Sequence, residues 1–169
     1  MKVPDPTLLD EAVNPRVLEA MHLASEAMKA LGVPHIVVGG LAVGANGYPR
    51  ATVDVDFLVG EQAFDHHAGG VFTLRVPIAV KGIPIDCLSV HPTEGHLLDA
   101  LAAEPGSFAS APVLVYLKLK SPRSRDRTDV IELIKAGIDV EDCRMYLAAH
   151  APQFVPPFDD AVRTAHAEE

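Results

Sequence analysis

Two aspartates interrupt an otherwise apolar, β-branched run, Thr52-Val53-Asp54-Val55-Asp56-Phe57-Leu58-Val59. The run alternates and is rich in strand-favouring residues, so it predicts a strand. Side chains two apart on a strand point to one face, roughly 7 Å apart along the chain. Two carboxylates on one face of a buried strand repel each other and resist desolvation. Two arrangements meet that constraint: an edge strand whose acidic face meets water, or a buried strand whose carboxylates share a divalent cation. Magnesium suits the second, because it takes carboxylate oxygens and keeps open positions for phosphate. Asp86, in Ile85-Asp86-Cys87-Leu88, is another lone acid in an apolar strand-like segment. Beside the first strand it would complete a three-carboxylate cluster able to hold two metals and to accept a proton from an attacking hydroxyl. At a sheet edge it would be only an exposed strand-end residue.

The rest of the chain supplies a frame for these acids. Asn14-Pro15 offers a helix cap, Gly32 a stop, and Val17, Met21, Ala24, Met28 and Leu31 form one apolar stripe between them. His35-Ile36-Val37-Val38 then reads as a short buried strand running into Gly39-Gly40, followed by a short helix over Leu41-Ala45. A glycine pair at such a junction lets backbone approach an anionic ligand, although it can equally be a plain turn. Residues 71–80 read as a third strand broken by Pro77, Lys81-Gly82 as a turn, and residues 83–90 as a fourth strand. Helices are expected over 93–103, 112–120, 122–136 and 139–149. The tail 151–169, with three prolines, reads as a strap and a short final helix. Strands thus fall in 33–91 and helices in 92–150, which predicts a single α+β domain over 1–150 rather than a repeated βαβ fold.

Composition narrows the class. With 169 residues, 49% of them hydrophobic, the chain suits one compact domain rather than a disordered or fibrous protein. Two cysteines are too few for a disulfide scaffold, and no apolar run long enough to span a bilayer and no leader segment is visible, so the expected setting is cytoplasmic, away from membranes. The net charge of -9 argues against coating nucleic acid in bulk. Yet Lys118, Lys120, Arg123, Arg125 and Arg127 crowd into ten residues against Asp126 alone. That patch suits a triphosphate or a local RNA backbone, or else it is a solvated helix face. His66-His67 beside Asp65, and Cys87, His91 and His96, lack the short ligand spacing of zinc sites. The strand position of Cys87 suggests a buried, inert thiol.

Val38-Gly39-Gly40-Leu41-Ala42 followed by Arg50-Ala51-Thr52-Val53-Asp54-Val55-Asp56 resembles the nucleotidyltransferase superfamily, with its DNA polymerase beta-like fold. The Arg-x-Thr-x-Asp-x-Asp form is similar to the minimal and abortive-infection toxin branch. So is the later stretch from Leu117-Lys118-Leu119 to Arg125-Asp126-Arg127-Thr128-Asp129, and the resemblance spans residues 35–134. It implies a mixed β-sheet of about four strands with an N-terminal helix and a helical C-terminal half. It also implies an enzyme that moves a nucleoside monophosphate from a nucleoside triphosphate such as ATP to an acceptor hydroxyl, releasing pyrophosphate. Asp54, Asp56 and Asp86 would be the catalytic acids and hold one or two magnesium ions, with Asp86 as base. Gly39, Gly40, Arg50, Thr52, Lys118 and Arg125 would border the phosphates. Asp126 and Asp129, one helical turn apart, would hold Lys or Arg side chains. The acceptor implied is RNA, such as tRNA, or a protein, and the branch implies an antitoxin partner. The alternative on the same fold is a noncatalytic nucleotide- or partner-binding module. Gly40 stands where a serine is common, which leaves phosphate contact to backbone N–H groups.

Overall fold

The computed structural model describes residues 2–169. Helix α1 (Pro15–Ala30) starts where Asn14 Oδ1 accepts the N–H of Arg16 at 2.9 Å, with Pro15 in the first turn, and stops before Gly32 at φ 70°. Strand β1 (His35–Val38) follows, and helix α2 (Gly39–Ala45) begins at the glycine pair itself, two residues earlier than the apolar pattern suggests. Strand β2 (Val55–Val59) is shorter than expected, because residues 53–54 form a bend ahead of it. The expected third strand splits at Pro77, which can donate no ladder hydrogen bond. Its first part is β4 (Phe72–Leu74), which pairs with β3 (Phe64–His66), so His66 lies in a strand. Its second part is β5 (Ala79–Val80), joined to β6 (Ile83–Ser89) through Lys81 and Gly82, both left-handed at φ 50° and 79°.

The helical half comprises α3 (Gly95–Leu101), α4 (Ala111–Lys120), α5 (Ser124–Lys135), α6 (Val140–His150) and α7 (Val155–Ala167). The last helix has 13 residues and is not the short one anticipated. Its prolines, Pro156 and Pro157, sit in the first turn, where a missing N–H costs nothing. Phe158, Ala161 and Ala165 recur at helical spacing and are buried in the same core as α4, α5 and α6. No helix among the described residues is long and apolar enough to cross a membrane.

The fold is α+β: a four-stranded mixed sheet in the order β1-β2-β6-β5, with seven α-helices among the described residues. β2 pairs antiparallel with β1 and parallel with β6. The outer edge of β1 is covered by residues 106–109, whose backbone bonds Val37 on both sides. Strand alternation sends Val37, Val55, Phe57, Val59 and Ile85 to the face packed by α1. Ile36, Val38 and Leu58 go to the opposite face, under the C-terminal helices. Asp56 shares the parity of Leu58, so it points towards the helical half and not into the α1 core.

His35 is fully buried at the start of β1. Its Nδ1–H donates to the carbonyl of Val33 at 2.8 Å, and in the neutral ring its Nε2 accepts the Ser25 hydroxyl at 2.7 Å. Burial lowers its pKa below the ordinary 6.5. The unfolded chain then binds the extra proton first, so this residue favours folding fully above pH 6.5 and less as pH falls below it. Urea melts from pH 8 to pH 5 should show wild type losing up to about 1.4 kcal/mol per pH unit relative to His35→Gln in that acid range.

Candidate active site

The parallel pairing of β2 with β6 places Asp56 directly opposite Asp86. Asp54 lies in the bend just before β2, where the Thr52 hydroxyl donates to its Oδ1 at 3.2 Å. One oxygen from each of Asp54, Asp56 and Asp86 lies within 4.8 Å of the others. Asp54 and Asp56 are half-buried and Asp86 is exposed, so the cluster is fixed on one side and open on the other. Burial is the main force that pushes the pKa of Asp56 up to about 6, the charges of Asp54 and Asp86 add to it, and Lys118 and Arg123 offset part of it. A hard divalent cation would relieve the desolvation and the repulsion together, since its oxygen ligands stand about 2.0–2.6 Å away. The donor set, three carboxylates with no sulfur or imidazole, fits magnesium, manganese or calcium.

Gly39 makes room for this cluster. Its φ of 65° is left-handed, and a Cβ there would stand only 2.7 Å from Asp56 Cγ. At Gly40 a Cβ would lie 3.1 Å from Thr52 Oγ1 and 3.3 Å from Arg50 Nη1. The volume that a serine would occupy is thus already bordered by Thr52 and Arg50, which is a packing reason for glycine at this position.

The wall facing the acids is an ion cluster. Lys118 Nζ sits between Asp126 and Asp129, 2.8 Å from each. Arg50 forms a forked pair with Asp129, at 3.1 Å from Nε and 2.9 Å from Nη2. Asp126 also takes Arg123 Nε at 3.0 Å and the Ser121 hydroxyl. Burial pushes the pKa of Asp126 up, but its hydrogen bonds from Lys118, Ser121 and Arg123 prevail and hold it below the ordinary carboxylate value. Asp126 and Asp129 therefore do grip Lys and Arg side chains. Lys118, counted in sequence as part of an exposed patch, is instead buried to 9% exposure. Cys87 is part-buried, and desolvation pushes its thiol up to about 11, which leaves it protonated at neutral pH.

Asp54, Asp56, Asp86, Gly39, Gly40, Arg50, Thr52, Lys118 and Arg125 all line one cleft of about 420 Å³ between the sheet and α4. Lys120, Ser121 and Arg123 join them. Arg127 points elsewhere, to a depression bordered by Pro157 and Asp160. Ser121 carried no signal for the site, since Ser121-Pro122 reads as the start of the helix expected over 122–136.

Gly39→Ala should abolish divalent-cation binding, measured by calorimetry with Mn²⁺, because the new methyl group displaces the Asp56 carboxylate. Asp129→Ala leaves Arg50 and Lys118 short of a buried partner, and chemical denaturation should show a loss of about 3–5 kcal/mol.

No protein-family model and no curated protein matches the chain. Among solved structures it is similar to an antigenic nucleotidyltransferase-like protein from Paracoccidioides brasiliensis, at 10% identity and a TM-score of 0.41, over 88% of this chain and 94% of that chain.

Proposed function

We propose that this chain is a magnesium-dependent nucleotidyltransferase. The observation that supports it most is the meeting of Asp54, Asp56 and Asp86 from separate segments, beside a left-handed glycine, in a cleft with cations on its other wall. One or two magnesium ions held by the three carboxylates would neutralise the phosphates of a nucleoside triphosphate and polarise the α-phosphorus. The backbone at Gly39 and Gly40, the Thr52 hydroxyl and the Arg125 guanidinium would border the phosphate chain. Arg50 and Lys118 would contribute their charge from the wall behind. Asp86, the exposed acid of the three, is open to an incoming acceptor and would take the proton of its hydroxyl. The acceptor oxygen then bonds to the α-phosphorus, the bond from the α-phosphorus to its bridging oxygen breaks, and pyrophosphate leaves. The Arg50-x-Thr52-x-Asp54-x-Asp56 pattern favours a toxin that modifies RNA or protein and is held by an antitoxin.

The test is transfer of radiolabel from each of the four α-labelled nucleoside triphosphates to total RNA and protein, with magnesium present. Wild type should transfer and Asp56→Asn should not. Binding without transfer would indicate a noncatalytic module, and failure to bind any nucleotide would remove the reading.

Two further outcomes follow from the raised pKa of Asp56. Mn²⁺ affinity should fall about tenfold per pH unit below pH 6, as the proton competes with the metal at this carboxylate. Without metal at pH 7.5, a carboxylate whose folded pKa lies above its unfolded one destabilises the fold. Asp56→Asn should therefore raise metal-free stability by about 1–3 kcal/mol while abolishing transfer, as read from urea melts and the radiolabel assay.

A further inference from the structure

The cations around the cleft differ in how far the protein already uses their donors. Lys118 is held between the buried carboxylates of Asp126 and Asp129, and Arg50 forks onto Asp129, so these donors already have partners. Lys120 is different. It lines the same cleft as the acidic triad, its side chain is 48% exposed, and its one carboxylate partner is Glu94, 2.7 Å away. An ammonium has three donors, and this pairing leaves two of them without a protein partner among the described residues.

Glu94 is an uncommon partner for a surface lysine. It is only 4% exposed, lies just ahead of α3, and takes no part in the triad or in the ion cluster around Lys118. Its carboxylate accepts the Tyr116 hydroxyl at 2.5 Å and the backbone N–H of His91 at 3.1 Å in addition to Lys120. Desolvation pushes its pKa up, but the hydrogen bonds of Lys120, Tyr116 and His91 together hold it below the ordinary carboxylate value. It is therefore a fixed negative charge at neutral pH. Tyr116 precedes Lys120 by one turn of α4, and Lys120 Nζ stands 6.0 Å from its ring. His96 packs edge-on against that ring, with centroids 4.6 Å apart. An ordinary exposed lysine samples many rotamers, and surface pairs hold it weakly. Here a buried, triply bonded carboxylate and a braced tyrosine hold the lysine at the edge of the cleft.

We infer that Lys120 is a phosphate-binding residue of the cleft, and that Glu94 is the positioning residue that aims it. This rests on the nucleoside triphosphate site proposed above. The ligand group is a phosphoryl oxyanion of the bound triphosphate. Lys120 meets it with donors that Lys118, enclosed by Asp126 and Asp129, does not have to spare.

The experiment is calorimetric titration with inorganic tripolyphosphate and with the four nucleoside triphosphates, in magnesium. Lys120→Gln keeps a donor for Glu94 while removing the charge, and should weaken both kinds of ligand roughly tenfold or more. Lys120→Arg should stay within about threefold, and Lys29→Ala, the same charge change on α1, within about twofold. Glu94→Gln should weaken binding about threefold to tenfold in the wild-type background and not at all in Lys120→Gln, since its effect passes through that lysine. Mn²⁺ binding at the triad should be unchanged in every variant. If wild type binds and Lys120→Gln binds within twofold of it, this inference is overturned while the nucleotide site stands. If wild type binds neither tripolyphosphate nor any nucleotide, the site itself fails and this inference with it. Tighter binding by Glu94→Gln, or an equal loss in both backgrounds, would overturn the positioning role alone.

Discussion

The parallel register between β2 and β6 is the constraint on which everything else depends. It sets Asp56 against Asp86 and Leu58 against Leu88. Because strand side chains alternate, a slip of one residue in β6 would bring Cys87 to the cleft and send Asp86 to the α1 face. β2 is held from both edges and packed on both faces, with Val55, Phe57 and Val59 against α1 and Leu58 under the helices. A parallel neighbour also requires the chain to travel back before re-entering the sheet. Residues 60–82 make that journey, and the small β3–β4 ladder and β5 are its by-products.

The distribution of charge around the cleft supports the chemistry proposed for it. Asp54, Asp56, Asp86 and Asp126 line it, Asp129 and Glu94 stand behind it, and the protein pairs only the last three with its own cations. Asp126 and Asp129 are buried and gripped by Lys118, Arg50 and Arg123. Asp54, Asp56 and Asp86 have no salt bridge among the described residues and stand close enough to one another to repel. A fold under no functional demand gains by separating such groups or pairing them. Keeping them together next to unused cationic donors is the arrangement expected of a site that recruits its counter-ion along with a phosphate ligand.

Much of this was legible in the sequence because the relevant signals are local. The change from helical spacing to β-branched runs, the cap at Asn14 and the break at Pro77 each act within a few residues. Asp54, Asp56 and Asp86 stood out because acids are rare inside apolar strands. Other features depend on distant partners and left no such trace. Lys118 looks solvated until α5 folds back and brings Asp126 and Asp129 to it. Glu94 sits between a proline-containing turn and a helix start, where an acid is unremarkable, and only tertiary packing joins it to Tyr116 and Lys120. β3 escaped because Asp65 and His66 are exposed and show no core-facing alternation. The length of α7 was obscured by its prolines, which break helices everywhere except at their beginnings.

The forked link between Arg50 and Asp129 joins residues 79 positions apart, one ahead of the sheet's second strand and the other deep in the helical half. Severing the chain near residue 92 would leave one fragment with a guanidinium lacking its counter-charge and the other with two aspartates sharing a single lysine and one surface arginine. Neither piece would be self-sufficient. The strand-rich and helix-rich portions are obligate companions, and any inheritance, recombination or reassembly of this architecture has to carry both together.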